Sequence, residues 1–257
     1  MNTLLVDIGN SRLKWGVHRD ALLRETGAIE LHAIAAQGIS VLPQQWPRAV
    51  DAVVICNVAG DAIGDRLAVG VRSRYGVEPQ FVQAERSACG VTNSYTEPHR
   101  LGVDRWVAMI GARAACAKAC VVVDAGTAIT IDALDDAGNH LGGQIMPGLQ
   151  LMLAALASGT SKLPPVRARA AGDRDGVLAN NSAAAMTEGV RGAAAGAVER
   201  VLRAMRRDAK DPVLFLTGGD ADSLYRSLGE MAELRPNLVL EGLACLAGGA
   251  LRENHGT

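Results

Sequence analysis

Only 3% of the 257 residues are aromatic, with three tryptophans, three tyrosines and two phenylalanines among them. A core must therefore be filled by Ala, Val, Leu and Ile, and a base-stacking platform for single-stranded nucleic acid is not expected. Neither sign of charge is in excess. Lys and Arg number 26 against 27 Asp and Glu, a net charge of -1, so no global field draws the chain to a polyanion or an acidic membrane. Five cysteines, Cys56, Cys89, Cys116, Cys120 and Cys245, are too few and too scattered for a disulfide scaffold, and reduced thiols in a cytoplasmic protein are the expectation. Cys116 and Cys120 stand at helical spacing without a second Cys or His pair to complete four zinc ligands, so buried helix packing is expected for them. His18, His32, His99, His140 and His255 share no metal-ligand spacing either. Asp7 interrupts the first apolar run, no basic segment precedes it, and no run approaches the roughly 18 apolar residues of a membrane-crossing helix. Neither a leader nor a membrane span is expected.

What is present is a globular composition, 49% apolar and 21% charged, with length for one large domain or two medium ones. Thr3 to Val6 is an apolar run ending in Asp7-Ile8-Gly9-Asn10-Ser11, after which Leu13, Trp15 and Val17 alternate with Arg12, Lys14 and Gly16. That pattern is a strand, a tight turn and a second strand. The same grammar returns at Val121-Val122-Val123, which runs into Asp124-Ala125-Gly126-Thr127 before Ile129 and Ile131 alternate with Thr130 and Asp132. Two related lobes follow, residues 1–115 and 116–257. Helices are expected over 61–75, 102–117, from Leu149, over 182–207 and over 241–251. Strands are expected within 49–58, at 80–82, at 142–147 and over 212–217. Alternating strands and helices argue for an α/β fold. Residues 158–176, rich in Gly, Pro and Arg, read as a mobile loop.

Asp7-x-Gly9-Asn10-Ser11 suits a phosphate chain. Gly9 brings backbone N–H groups close to the phosphates, Asn10, Ser11 and Lys14 supply donors, and Asp7 can hold a hydrated magnesium ion. One copy could be an ordinary polar hairpin. The second, Asp124-x-Gly126-Thr127, repeats acid, glycine and hydroxyl at a strand end, which two unrelated turns would rarely share. A third element, Leu216-Thr217-Gly218-Gly219-Asp220-Ala221, ends a buried strand in a glycine pair where a purine or ribose could lie on bare backbone. Read alone, it is equally a helix entry capped by Asp220. The basic run Arg200, Arg203, Arg206, Arg207 and Lys210 is interleaved with Glu199, Asp208 and Asp211 and reads as a solvated helix end, not as a DNA reader.

In this order and spacing the three elements resemble the two-lobed actin, hexokinase and sugar-kinase ATPase superfamily. The segment Asp7 to Gly16, then Gly102-Val103-Asp104-Arg105, Asp124 to Thr127, Gly142-Gly143 and Pro147-Gly148 resembles type III pantothenate kinase over nearly the whole chain. The resemblance implies two actin-like (ribonuclease-H-like) lobes with the active site in the cleft between them. It also implies ATP-dependent phosphorylation of pantothenate, the entry step to coenzyme A. Asp7, Ile8, Gly9, Asn10, Ser11, Arg12, Leu13, Lys14 and Thr127 would contact ATP, with Asp7 holding Mg2+ through water. Tyr95, Gly102, Val103, Asp104 and Arg105 would contact pantothenate, with Asp104 as the base, and Asp124 would help bind a monovalent cation, K+ or NH4+. Where the family carries Asn-Thr ahead of a helix, its Thr touching substrate across a homodimer interface, this chain has Asn181-Ser182, and Ser182 keeps the hydroxyl.

The residues alone point the same way. A primary alcohol attacking a γ-phosphate needs an acceptor for its proton, which Asp104 offers, and the planar fork of Arg105 matches a carboxylate such as that of pantothenate. Two rivals are a sugar or other small-alcohol kinase, which would have no use for the fixed cation of Arg105, and a nucleotide-sensing transcriptional accessory factor, against which stand the intact Asp7, Asp104, Arg105 and Asp124.

Overall fold

The computed structural model describes residues 1–37, 46–167, 177–207 and 211–253. The segment 168–176 of the expected mobile loop lies outside the described residues, as do Asp208, Lys210 and His255. The chain forms two compact units, Met1–Ala115 with Asn237–Thr257, and Cys116–Pro236.

In the first unit β1 (Thr3–Ile8), β2 (Arg12–Arg19) and β3 (Leu22–Glu30) form an antiparallel meander. After α1 (Leu31–Gln37), strand β4 (Ala52–Asn57) returns parallel to β1. Helix α2 (Asp61–Tyr75) then crosses over to β5 (Gln80–Phe81), so the sheet order is β3-β2-β1-β4-β5. Every residue of β1 is buried, as expected of a central strand covered on both faces. Leu4, Val6 and Ile8 pack with Leu67 and Val71 of α2 in one core cluster. A small hairpin, β6 (Ser87–Ala88) and β7 (Val91–Thr92), precedes α3 (Val103–Ala115).

The second unit repeats that plan. Strands β8 (Cys120–Ala125), β9 (Ala128–Leu134) and β10 (His140–Pro147) form the meander, followed by α4 (Leu149–Gly159) and α5 (Ser182–Arg207). Strand β11 (Val213–Thr217) pairs parallel to β8, and α6 (Ala221–Leu228) leads to β12 (Ala232–Leu234). The order is β10-β9-β8-β11-β12, strand for strand the order of the first sheet. The duplication seen in two turns thus extends to ten strands. Asp7 and Asp124 fall at matching places, each the last residue but one of its first strand.

Two expectations are corrected. The terminal helix α7 (Leu238–Glu253), grouped in sequence with the second lobe, packs against α3 in the first unit. Glycines on both helices permit that contact: a Cβ at Gly242 would overlap the carbonyl of Val107, and one at Gly111 would overlap that of Leu238. Cys116 and Cys120 do not share a helix. Helix α3 ends at Ala115, the Lys118 N–H donates to Cys116 Sγ (3.3 Å) in the turn that follows, and Cys120 opens β8 as a buried strand residue. The four-residue spacing straddles an element boundary, where helical periodicity has no meaning.

Candidate active site

The first phosphate-type turn joins β1 to β2. Gly9 N–H donates to Arg12 O (2.9 Å), closing a loop whose last strand pair is Ile8 with Leu13. Asp7, only 9% exposed, lies directly opposite Lys14 in the antiparallel register, so both side chains share one face of the sheet. Arg12, by contrast, donates from Nε to Glu30 Oε1 (2.7 Å) on β3, and both side chains are about half exposed. Its guanidinium thus braces the edge of the meander.

In the second unit the equivalent turn is one residue tighter: Gly126 N–H donates to Ala128 O (3.0 Å) and the last strand pair is Ala125 with Ile129. Asp124 is half-buried and Thr127 exposed. The glycine pair after β11 comes up against this turn. Gly218 has φ +98, and a Cβ there would overlap the Ala125 carbonyl and the Asp124 carboxylate, so both conformation and space demand glycine. The Asp220 N–H donates to Ala125 O (2.9 Å), tying the β11–α6 turn to the end of β8. The alternative of a helix capped by the Asp220 side chain is not what forms; Asp220 occupies the N-cap position without a side-chain capping bond.

The residues expected to contact pantothenate come together at the start of α3. Trp106 N–H donates to Gly102 O (3.0 Å), the first helical bond, and Arg105 N–H donates to Asp104 Oδ1 (2.8 Å). Asp104 therefore stands at the positive end of the helix dipole with its carboxylate oriented by a backbone N–H. Gly102 leaves room for it, since a Cβ there would sit 2.7 Å from Asp104 Oδ1. Arg105, only 6% exposed, donates from Nη1 to the Tyr95 hydroxyl (3.1 Å), with its guanidinium carbon 5.9 Å from the Tyr95 ring centre. Burial and the bond to the phenol fix the direction of the Arg105 guanidinium.

Ser182 is the first residue of α5 and is exposed, while Asn181 caps the helix by accepting the Ala184 N–H at Oδ1 (2.9 Å). The Asn-Ser pair thus divides into a cap and an outward hydroxyl. Two residues absent from the sequence reading support this region. Arg86 and Asn93 fold the loop that carries Tyr95 onto itself, through bonds to backbone groups that leave no periodic trace. His99 is exposed, its Nε2 3.5 Å from Glu97 Oε2. Among the described residues no group of three or more His, Cys, Asp or Glu could by itself cage a metal ion, and no helix is long and apolar enough to cross a membrane.

Two sheets of one plan, each presenting an acid and a glycine turn, define the actin-like, sugar-kinase ATPase fold. Solved structures agree on that fold. A Campylobacter jejuni protein described as a candidate Baf family transcriptional activator superposes with a TM-score of 0.58 at 21% identity, covering 99% of this chain and 100% of that one. The activator of 2-hydroxyisocaproyl-CoA dehydratase from Clostridium difficile, solved with ADPNP, superposes with a TM-score of 0.54 at 12% identity, covering 99% and 97%. Sequence narrows the class further. The sequence model of type III pantothenate kinase matches residues 3–204, and the type III pantothenate kinase of Aromatoleum aromaticum is 43% identical over 244 residues, 95% of this chain and 97% of that protein. The chain belongs to the type III pantothenate kinase family.

Proposed function

We propose that the chain transfers the γ-phosphoryl group of ATP to the primary hydroxyl of pantothenate, the first step towards coenzyme A. The observation that carries this reading is the joining of Tyr95, Asp104 and Arg105 at the first turn of α3, in a chain whose family acts as pantothenate kinases. The hydroxyl oxygen bonds to the γ-phosphorus, the bond from phosphorus to the departing ADP breaks, and the hydroxyl proton passes to Asp104. Arg105, steadied by Tyr95, grips the pantothenate carboxylate and fixes the hydroxyl in line with the phosphate. A neutral sugar offers no carboxylate to match the planar fork of Arg105, which disfavours the sugar-kinase alternative.

For ATP, the backbone and side chains of Asp7, Ile8, Gly9, Asn10, Ser11, Arg12, Leu13 and Lys14, with Thr127, form the phosphate contacts, and the bare backbone at Gly218 suits the adenosine. Asp7 fits magnesium held through water: it is a single hard carboxylate at a turn, and magnesium in kinase sites keeps its waters and the substrate phosphates as its other ligands, where it neutralises developing charge. Asp124 fits a monovalent cation such as K+ or NH4+, because Gly218 leaves uncovered the space beside its carboxylate that a Cβ would fill. Ser182 contacts substrate from a second copy in a homodimer, and the enzyme works in the cytoplasm. Purified protein is mixed with ATP, magnesium, potassium and either pantothenate or a panel of sugars, and ADP release is followed. Release that depends on pantothenate alone supports the reading, and release driven by a sugar refutes it.

A further inference from the structure

The loop between β6–β7 and α3 is held by two side chains. The Cys89-Gly90 turn has positive φ at both residues, 48 and 77, the backbone of a two-residue hairpin loop. It brings residue 86 opposite residue 93, where the Asn93 N–H donates to Arg86 O (2.9 Å). From there Arg86 reaches along the loop. Nη1 donates to the carbonyls of Asn93 (2.9 Å) and Tyr95 (2.9 Å), and Nη2 to that of Thr96 (2.9 Å). Asn93, 1% exposed, works from inside: Nδ2 donates to the carbonyls of Glu85 (3.2 Å) and Pro98 (3.1 Å), and Oδ1 accepts the Tyr95 N–H (3.0 Å). Between them the two side chains engage the backbone on both sides of Tyr95. The side-chain link from this loop to the start of α3 is the Tyr95 hydroxyl on Arg105, and Pro98 O also accepts the Leu101 N–H (3.1 Å) ahead of Gly102.

We infer that Arg86 and Asn93 are positioning residues for the acceptor substrate: by fixing the 93–98 backbone they hold Tyr95 on the Arg105 guanidinium and thereby set the affinity for pantothenate, not the rate of phosphoryl transfer. This rests on the reading of Arg105 as the carboxylate receptor. Preorganisation is spent on binding; a loop that must be ordered by the substrate subtracts that ordering from the affinity. A donor-free side chain of similar length isolates the effect, and lysine restores the charge and some of the bonds but not the fork.

The test measures kcat and both Michaelis constants for Arg86→Met, Arg86→Lys, Tyr95→Phe and Arg86→Met combined with Tyr95→Phe, with hydrogen exchange of residues 93–98 followed in each without substrate. Arg86→Met is expected to raise the Michaelis constant for pantothenate about ten- to a hundredfold, with kcat and the constant for ATP within about twofold. Arg86→Lys falls between, exchange over 93–98 quickens in Arg86→Met, and in the Tyr95→Phe background the Arg86→Met effect largely disappears. Parallel losses in both Michaelis constants, full additivity of the two changes, or unchanged exchange over 93–98 would overturn the inference. Failure of the functional reading is separately visible, because the unaltered chain would then release no ADP with pantothenate, which also overturns the affinity claim while the exchange result still reports on the loop.

Discussion

On the proposed mechanism two neighbouring residues carry different parts of the reaction, and they separate by kinetics. The proton acceptor proposed at Asp104 acts in the transition state, so Asp104→Asn is expected to lower kcat by about 10²–10⁴ while leaving the Michaelis constant for pantothenate nearly unchanged. The carboxylate grip proposed for Arg105 acts in ground state and transition state alike. A charged hydrogen bond is worth roughly 1.5–3 kcal/mol, so Arg105→Ala should raise that constant about ten- to a hundredfold with a smaller change in kcat, and Arg105→Lys should recover part of it. Steady-state kinetics on the three variants checks both. Near-normal kcat in Asp104→Asn would mean that the carboxylate only orients the hydroxyl, as a dissociative transfer permits. Asp104, Arg105 and Tyr95 were legible in sequence because a family motif marks them. Arg86 and Asn93 were not, since side chains reaching carbonyls five to ten residues away along a loop obey no spacing rule. Nor does sequence show that the Arg12 guanidinium pairs with Glu30, a bond set by strand register.

Elements were legible wherever one face is buried in a regular period. The strands at β1, β2, β8, β9 and β11 and the helices α2, α3 and α5 form where apolar spacing placed them. The exposed β3, whose burial pattern does not alternate cleanly, left no such trace, and neither did the two-residue strands of β6–β7. The placement of α7 was also hidden, because the choice of partner helix depends on a steric match between two glycines far apart in the chain. That match gives a prediction. Gly242→Ala would press a methyl group into the Val107 carbonyl, and overpacking of this kind costs about 1–3 kcal/mol. Urea denaturation should show that loss, and kcat/KM should fall with it because α3 bears Asp104 and Arg105 on its first turn. Unaltered stability in Gly242→Ala would argue against the close α3–α7 contact.

Two features concern the molecule as a whole. On α5, Met186, Val190 and Ala194 are buried in the core of their own unit. Ala193 remains exposed beside Gly192 and Gly196, which have open space around them, and Ile145 and Leu151 are exposed on the same unit. A homodimer would cover such a surface, and light scattering is expected to give about twice the 26.8 kDa chain mass. A fully active monomer would exclude both the dimer and the role of Ser182. The repeated strand order gives each unit an acid at the same strand position, and acids proposed to lie beside a triphosphate repel it unless cations intervene. Exchanging potassium for sodium or tetramethylammonium at constant ionic strength should therefore depress the rate, and equal rates in all three salts would remove the cation from Asp124. The central claim, that this enzyme phosphorylates pantothenate by its hydroxyl while Arg105 reads its carboxylate, is tested most directly by comparing kcat/KM for pantothenate and for its alcohol analogue, in which a hydroxymethyl group replaces the carboxylate. The account predicts that the unaltered enzyme prefers pantothenate by about ten- to a hundredfold and that Arg105→Ala abolishes the preference. An undiminished preference in Arg105→Ala, or no ADP release with pantothenate, would contradict it.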